Sequence, residues 1–146
     1  MWRIVRGLVV SLVALKLSGA LVWAHPDLIE QIGKITAELG AQGGSAALYL
    51  QRADLFRRHA QFDVALLDIA AAERCQTNAT VFSLDRARVL SDADRAAEAL
   101  ASVQTFLVLE PDHVEALIIR ARCEAKLGNA VAAVADYTVA IARAEA

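Results

Sequence analysis

Proline, glycine and aromatic residues are scarce in this chain, and no segment shows the alternating pattern of a β-strand. The 146 residues include two prolines and seven glycines, and most of these fall at predicted helix ends. Aromatic side chains make up only 5%, while alanine supplies much of the apolar share. A core rich in alanine and poor in rings suits helices that approach closely. These absences exclude a sheet protein and favour an all-α fold of one domain's length.

The chain also lacks a basic surplus and the motifs of common enzymes. His59 and His113 fall at predicted turns, without a spaced set of cysteines or carboxylates, and neither a nucleophile elbow nor a phosphate loop occurs. We therefore expect no catalysis and no cofactor. Residues 25–146 hold 12 Lys and Arg against 17 Asp and Glu, a net charge of −5. Nucleic-acid binding needs a basic footprint, so it is excluded.

Residues 1–24 differ in character from the rest. Arg3 and Arg6 precede an apolar run from Leu8 to Leu15, and small residues end the segment at Ala24. That layout is typical of a secretory signal peptide, with cleavage after Ala24 or, as a second site, after Ala20. It predicts an exported, periplasmic protein.

Two alternatives concern this leader. Lys16 interrupts the apolar run and residues 7–24 are short for a spanning helix, yet they could remain as an uncleaved membrane anchor. No cysteine lies near residue 20, which excludes a lipoprotein anchor. Cleavage after Ala24 would make His25 the first residue, whose amine and imidazole could chelate a metal such as copper. This metal site is the least favoured of the functional interpretations.

A first helix is predicted between Asp27 and Gly40. Glu30 completes a capping box with Asp27, and apolar residues recur at helical spacing. They are Leu28, Ile32, Ile35 and Leu39. Gly33 inside the helix suggests a close helix crossing. Residues 25–45 are interpreted as an amino-terminal capping helix and linker, since no partner helix precedes them.

Three helical pairs follow. The predicted bounds are Ser45 to Arg58 with Phe62 to Cys75, Thr80 to Ser91 with Asp94 to Leu109, and Pro111 to Leu127 with Ala130 to Ala144. Ser45, Asp94 and Asn129 are predicted helix caps. Cys75 and Cys123 lie in different pairs, too far apart for a disulfide, and are expected to be buried free thiols.

The pairs are related by a step of 34 residues, which marks stacked two-helix units. The residues that recur at this step are Ala53, Ala87 and Ala121; Ala65, Ala99 and Ala133; and Arg52, Arg86 and Arg120. The alanines suit positions where the two helices of a pair cross. Asp68 and Asp136 recur in the second helices, which suggests ion pairs with the arginines. Arg120 could also pair with Glu124, four residues on.

These residues resemble the tetratricopeptide repeat. The family's small residue in the first helix is met by Ala53, Ala87 and Ala121, and its glycine-like turn by Gly128, with Ala60 and Asp94 at the equivalent positions. Departures are Thr77 in place of proline, Phe106 in place of a small residue and Glu124 in place of a large apolar one. The resemblance places repeats at 46–79, 80–113 and 114–146.

The resemblance implies a right-handed α-solenoid whose first helices line a concave groove that binds an extended or helical peptide. The expected groove residues are Leu50, Leu84 and Ile118; Asp54, Arg88 and Arg122; and Arg57, Arg58 and Lys126. They would form an apolar stripe beside a basic strip, suited to a segment with hydrophobic and acidic residues. The alternative is that the leucines belong to the core and the arginines are solvated. Leu50 and Asp54 differ from the lysine and asparagine of chaperone-tail clamps, so that activity is not expected.

The last helix carries an apolar stripe of Val134, Tyr137 and Ile141 that another helix would normally cover. It is a candidate interface for a second copy or a partner. The sequence thus predicts a non-enzymatic, exported adaptor for a peptide or protein. The alternative is a structural subunit or homodimer joined through this helix.

Overall fold

The computed structural model describes residues 26–76 and 79–145. Over these ranges it contains helices and no β-strand, which confirms the predicted all-α class. The helices are α1 (Pro26–Gln42), α2 (Ala46–Arg58), α3 (Phe62–Cys75), α4 (Ser83–Asp92), α5 (Ala96–Leu107), α6 (Val114–Lys126) and α7 (Ala130–Ala144), with a 3₁₀ turn at Ala79–Phe82. The predicted leader or anchor and His25 lie outside the described residues.

Several predicted helix ends need correction. α1 begins at Pro26 and continues through Gly40, and the glycine with a left-handed backbone is Gly43, at φ 79°. The predicted capping box is wrong, because Asp27 lies inside α1 and the Glu30 carboxylate accepts from Lys34 Nζ at 2.7 Å. Thr80 lies in the 3₁₀ turn, ahead of α4.

The connection from α5 to α6 is longer than predicted. α5 ends at Leu107 and α6 begins at Val114, so Pro111 lies in the loop. Val108 is the C-cap of α5, and the Leu109 amide donates to the Phe106 carbonyl, three residues back, at 2.9 Å. His113 caps α6, where its Nδ1 accepts a hydrogen bond from the Ala116 amide at 3.3 Å.

The predicted caps at the other helices do not form side-chain caps among the described residues. Ser45 precedes α2 with extended backbone, but its hydroxyl makes no capping hydrogen bond there. α5 is preceded by Arg95 instead of Asp94. Asn129 Nδ2 donates to Glu124 Oε2 at 2.6 Å, so this side chain faces back towards α6.

The three hairpins α2–α3, α4–α5 and α6–α7 turn in the same way. Ala60, Asp94 and Gly128 have left-handed backbone, with φ of 58°, 62° and 88°. After each of them, the next amide donates to the carbonyl five residues back: Gln61 to Phe56, Arg95 to Leu90, and Asn129 to Glu124. This is the Schellman motif, and it ends the first helix of each hairpin at an equivalent point.

The recurring alanines lie where the prediction placed them. All six are buried: Ala53, Ala65, Ala87, Ala99, Ala121 and Ala133. Their small side chains allow the two helices of each hairpin to approach closely. Buried residues form two clusters. One lies between α2 and α3 with Phe82 of the 3₁₀ turn and Val89 of α4, the other between α4, α5 and α6 with Ala140 of α7, and Leu66 packs against both.

Two predicted ion pairs are confirmed and one differs. Arg52 donates to Asp68 through Nε and Nη2, both at 2.7 Å, and Arg120 donates in the same way to Asp136 at 2.7 and 2.6 Å. In the middle hairpin Ser102 occupies the equivalent position, and Arg86 donates instead to Glu73 of α3. The suggested pair of Arg120 with Glu124 is replaced by the pair with Asp136.

α1 occupies the place of a second helix. Its residues 26–42 lie one step of 34 before residues 60–76, which span α3. Ile32, Ile35 and Leu39 of α1 are half-buried, and α1 packs against α2 as α3 packs against α4. A Cβ added at Gly33 would meet no described atom within 4 Å, so the predicted close crossing there is wrong.

Candidate interaction surface

The first helices of the three hairpins share one cleft. It has a volume of about 250 Å³ and is lined by residues of α2, α4 and α6. They are Asp54 and Arg57; Arg88, Ser91 and Asp92; and Glu115, Ile118, Ile119 and Arg122. Five predicted groove residues therefore meet here: Asp54, Arg57, Arg88, Ile118 and Arg122.

Arg57 links α2 to α4 at one side of this cleft. Its guanidinium donates to Asp54 Oδ1 through Nη2 at 2.7 Å and to Asp92 Oδ2 through Nη1 at 2.5 Å. Asp54 belongs to the same helix, whereas Asp92 ends α4. The arginine thus bridges neighbouring hairpins and is not free for a ligand without losing these contacts.

Arg88 links α4 to α6 in the same manner. Its Nε and Nη2 donate to the two carboxylate oxygens of Glu115 at 2.6 Å each, and its Nη1 donates to Asp85 at 2.6 Å. These hydrogen bonds lower the pKa of Glu115. Burial raises the pKa of Asp85, and the positive charge of Arg88 opposes that rise.

Arg122 is held more loosely than the other two arginines. Its Nη2 lies 3.9 Å from Asp92 Oδ1, beyond hydrogen-bond distance, and its side chain is 45% exposed. Lys126 lies outside the cleft lining and pairs with Asp94, whose pKa it lowers. Arg58 is exposed at the end of α2 and also lies outside the lining.

The predicted basic strip is therefore wrong as a description of this surface. Carboxylates of Asp85, Asp92 and Glu115 alternate with the arginines and pair with them. Sequence reasoning missed these three residues because they do not recur at the 34-residue step. Acidic residues within one turn of Arg88, such as Asp85, were the available signal.

The predicted apolar stripe is interrupted at its centre. Leu84 is buried in the core, while Leu50 is half-buried and Ile118 is exposed in the cleft. Leu50 instead lines a second, apolar cleft of about 480 Å³ between α1 and α2, together with Ile35 and Leu55. The prediction missed this cleft because it treated α1 only as a cap.

The stripe of Val134, Tyr137 and Ile141 on α7 is solvent-exposed. The exposed fractions are 65%, 37% and 59%. The three residues lie on one face of α7, next to the face that buries Ala133, Asp136 and Ala140.

The two histidines and two cysteines of the described residues lie at separate places: His59 after α2, Cys75 at the end of α3, His113 before α6 and Cys123 within α6. The His113 ring packs edge-on against Phe106, in addition to capping α6. Both cysteines are free thiols as predicted, but only Cys123 is buried, and Cys75 is exposed at the end of α3. Among residues 26–76 and 79–145, no three His, Cys, Asp or Glu side chains are placed to hold a metal ion. No helix in the described part of the chain has the length and apolar character needed to cross a bilayer.

The succession of equivalent helical hairpins, closed by the same turn and crossing at alanines, defines a helical-repeat fold of the tetratricopeptide type. Two crystal structures of MamA share it, with TM-scores of 0.70 and 0.68 at 14% sequence identity. Each covers 81% of this chain, which in turn covers 69% and 64% of theirs, about two thirds of their length. No protein-family model matches the sequence, and no curated protein matches it. At this identity the likeness shows the fold alone.

Proposed function

We propose that this chain is a non-enzymatic protein-interaction module that binds a peptide or protein segment across the surface of α2, α4 and α6. The observation that carries this proposal is the cleft to which all three helices contribute. Repeat folds of this kind use such surfaces for recognition. The three predicted repeats, 46–79, 80–113 and 114–146, are the units of this surface.

The two clefts favour a segment with one apolar side chain and one or more carboxylates. Leu50, Ile35 and Leu55 offer apolar surface between α1 and α2. Asp54 lines both clefts, so the two are adjacent. An extended segment could fill the apolar cleft and continue along the charged one.

Arg122 is the residue most available to an acidic partner. To reach Arg88, a carboxylate must displace Glu115 from two short charge-assisted hydrogen bonds. At Arg122 it would displace only the 3.9 Å contact with Asp92. The ion pairs of Arg57 and Arg88 position the helices, and Arg122 contacts the partner.

The proposal includes export to the periplasm through the leader of residues 1–24, with an anchor at residues 7–24 as the alternative. The partner would then be another envelope protein. A cleft of alternating charge gives no basic footprint, so nucleic acid is not proposed as a ligand.

Photo-crosslinking in cells tests this function. A photoreactive phenylalanine replaces Ile118 in the cleft, and the control places it at Gln104 on the exposed side of α5. We expect specific adducts from position 118, reduced at least tenfold by Arg122→Glu. Arg74→Glu makes the same charge change on an exposed residue of α3, outside the cleft, and should leave capture intact.

Equal capture from positions 118 and 104 would contradict the proposal. So would adducts at position 118 that survive Arg122→Glu and a second substitution, Leu50→Asp, in the apolar cleft. Circular dichroism of each variant separates loss of binding from loss of folding.

A second candidate function is a structural subunit or homodimer joined at the carboxyl-terminal hairpin. The exposed stripe on α7 favours it. Sedimentation of the purified protein, with and without Tyr137→Asp, distinguishes a dimer from a monomer.

A further inference from the structure

The exposed stripe of α7, formed by Val134, Tyr137 and Ile141, has buried counterparts one hairpin earlier. Leu100, Val103 and Leu107 of α5 occupy the same positions, 34 residues before. Val103 and Leu107 are buried and Leu100 is partly buried, all in the cluster that includes α6. The positions that α7 exposes to solvent are therefore part of an internal interface on α5.

The same arrangement occurs at the earlier joints. Ile69 of α3 is buried in the cluster that contains Phe82 and Val89, and Leu66 packs beside it. On α1, Ile32 and Ile35 stand at the equivalent positions and are half-buried where α1 packs against α2. On this face, α1 and the second helices α3 and α5 thus each receive the first helix of the next hairpin.

The chemistry of the covering helix can be taken from α6. It has 13 residues, and four of them belong to the cluster that also contains Val103 and Leu107 of α5: Ala116, Leu117, Ile119 and Cys123. Two large aliphatic residues flanked by small ones fill the interface, while the exposed side carries charged residues such as Glu115 and Arg122. The helix that suits the stripe is amphipathic, about this long, and contains small residues at the crossing.

A second copy of the chain cannot supply such a helix in this mode. α2 is packed between α1 and α3, α4 between α3 and α5, and α6 between α5 and α7. All three helices of this type among the described residues are therefore already covered on both sides. An occupant that packs on α7 as α6 packs on α5 is therefore none of the described helices of a second copy.

We propose that the α7 stripe is a docking site for an amphipathic helix of a partner protein. Bound in trans, this helix would take the place that the first helix of a further hairpin would have. This site is separate from the cleft of α2, α4 and α6 and does not depend on it. Continuity with the α5–α6 interface carries the proposal.

A peptide of known sequence tests the site directly. The probe is a fluorescent peptide of residues 114–127 with Cys123→Ala, and its scrambled version is the control. We expect the probe to bind the purified protein, and Val134→Asp or Ile141→Asp to weaken binding at least tenfold. Val139→Asp places the same charge on an exposed residue at another side of α7 and should leave binding within twofold.

A tethered form keeps the test decisive if affinity in trans is low. A copy of residues 113–127 appended directly after Ala146 begins at position 147, one step of 34 after His113. It should raise the thermal midpoint of the parent by several degrees, and not that of Val134→Asp.

Three results would overturn the proposal. The first is an absence of binding in trans together with no rise in the tethered form. The second is peptide binding that neither Val134→Asp nor Ile141→Asp weakens. The third is a dimer of the purified protein that Val134→Asp dissociates, because a second copy would then occupy the stripe.

Discussion

Three residues with left-handed backbone determine where each first helix ends. Of these, Gly128 adopts this conformation without strain, whereas Ala60 and Asp94 do so with a Cβ present. Left-handed backbone costs a residue with a Cβ about 1–2 kcal/mol. The repeated Schellman hydrogen bonds offset this cost and keep the three turns alike.

Replacing alanine by glycine at one of these turns and glycine by alanine at another should change the free energy of unfolding in opposite directions. We expect Ala60→Gly to raise the free energy of unfolding by about 0.5 kcal/mol, since relief of strain exceeds the added chain entropy. Gly128→Ala should lower it by about 1 kcal/mol for the reverse reason. Urea unfolding followed by circular dichroism measures both.

The control is Ala101→Gly in the exposed middle of α5, which should lower the free energy of unfolding by about 1 kcal/mol. A loss of stability in Ala60→Gly comparable to that in Ala101→Gly would show that residue 60 is not strained.

Residues that recur at the 34-residue step were predicted well. The buried alanines and the pairs Arg52–Asp68 and Arg120–Asp136 follow from spacing, because equivalent positions in stacked hairpins have equivalent neighbours. Leu84 was assigned to the groove but is buried, since side-chain burial at one register position depends on what the adjoining hairpin supplies. Periodicity cannot predict that.

At the scale of helices, ion pairs join neighbouring hairpins as well as the helices within one. Arg57 to Asp92 joins α2 to α4, and Arg88 to Glu115 joins α4 to α6. Both pairs lie in the cleft, so the surface that we propose for binding also contributes to the alignment of the first helices. The sequence did not reveal these contacts because their acidic members are unique to one repeat.

The Arg88–Glu115 pair should make the joint between α4 and α6 sensitive to acid. Arg88 lowers the pKa of Glu115 in the folded state, below its usual value of about 4.3. The stabilisation is therefore complete above that value and is lost as the pH falls through the folded-state pKa. Asp85 has a raised pKa, and its contribution has the opposite sign.

We expect Glu115→Gln to lower the free energy of unfolding by up to about 1 kcal/mol at pH 7, since the pair is partly exposed. Parent and variant should converge once Glu115 is protonated. The comparison is urea unfolding at pH 7 and at successively lower pH. Glu110→Gln, an exposed residue before α6, should have no effect at pH 7. An undiminished difference at low pH would exclude an electrostatic origin.

Helix existence was predicted better than helix ends. The seven α-helices of residues 26–76 and 79–145 were all anticipated, because apolar residues recur at helical spacing over a dozen or so positions. The ends of α1 and α5, and the start of α6, were misplaced by a few residues. These ends depend on single residues, such as the cap at His113 and the left-handed Gly43, whose roles tertiary packing selects.

For the whole molecule, one kind of contact is repeated from α1 to α7. Each helix packs mainly against its neighbours in the chain, and Leu66 joins the two core clusters. The fold class followed from the sequence because the repeat is local and periodic. The partner does not follow, because its identity is carried by exposed side chains that no period constrains.

Whether the protein is exported can be tested at its amino terminus. Mass spectrometry of the protein from fractionated cells should find His25 as the first residue, in the periplasmic fraction. A chain that retains Met1 and sediments with membranes would support the anchor at residues 7–24 instead. Any first residue other than His25 would remove the proposed metal site at the free amine.

Because α1 stands in the register of a second helix, each joint from α1–α2 to α5–α6 packs a helix of second-helix register against the first helix of the next hairpin. Gene duplication of a 34-residue block would therefore insert a module whose two ends already match its new neighbours. Evolution can therefore change the number of 34-residue repeats while keeping the same kind of packing between neighbouring hairpins.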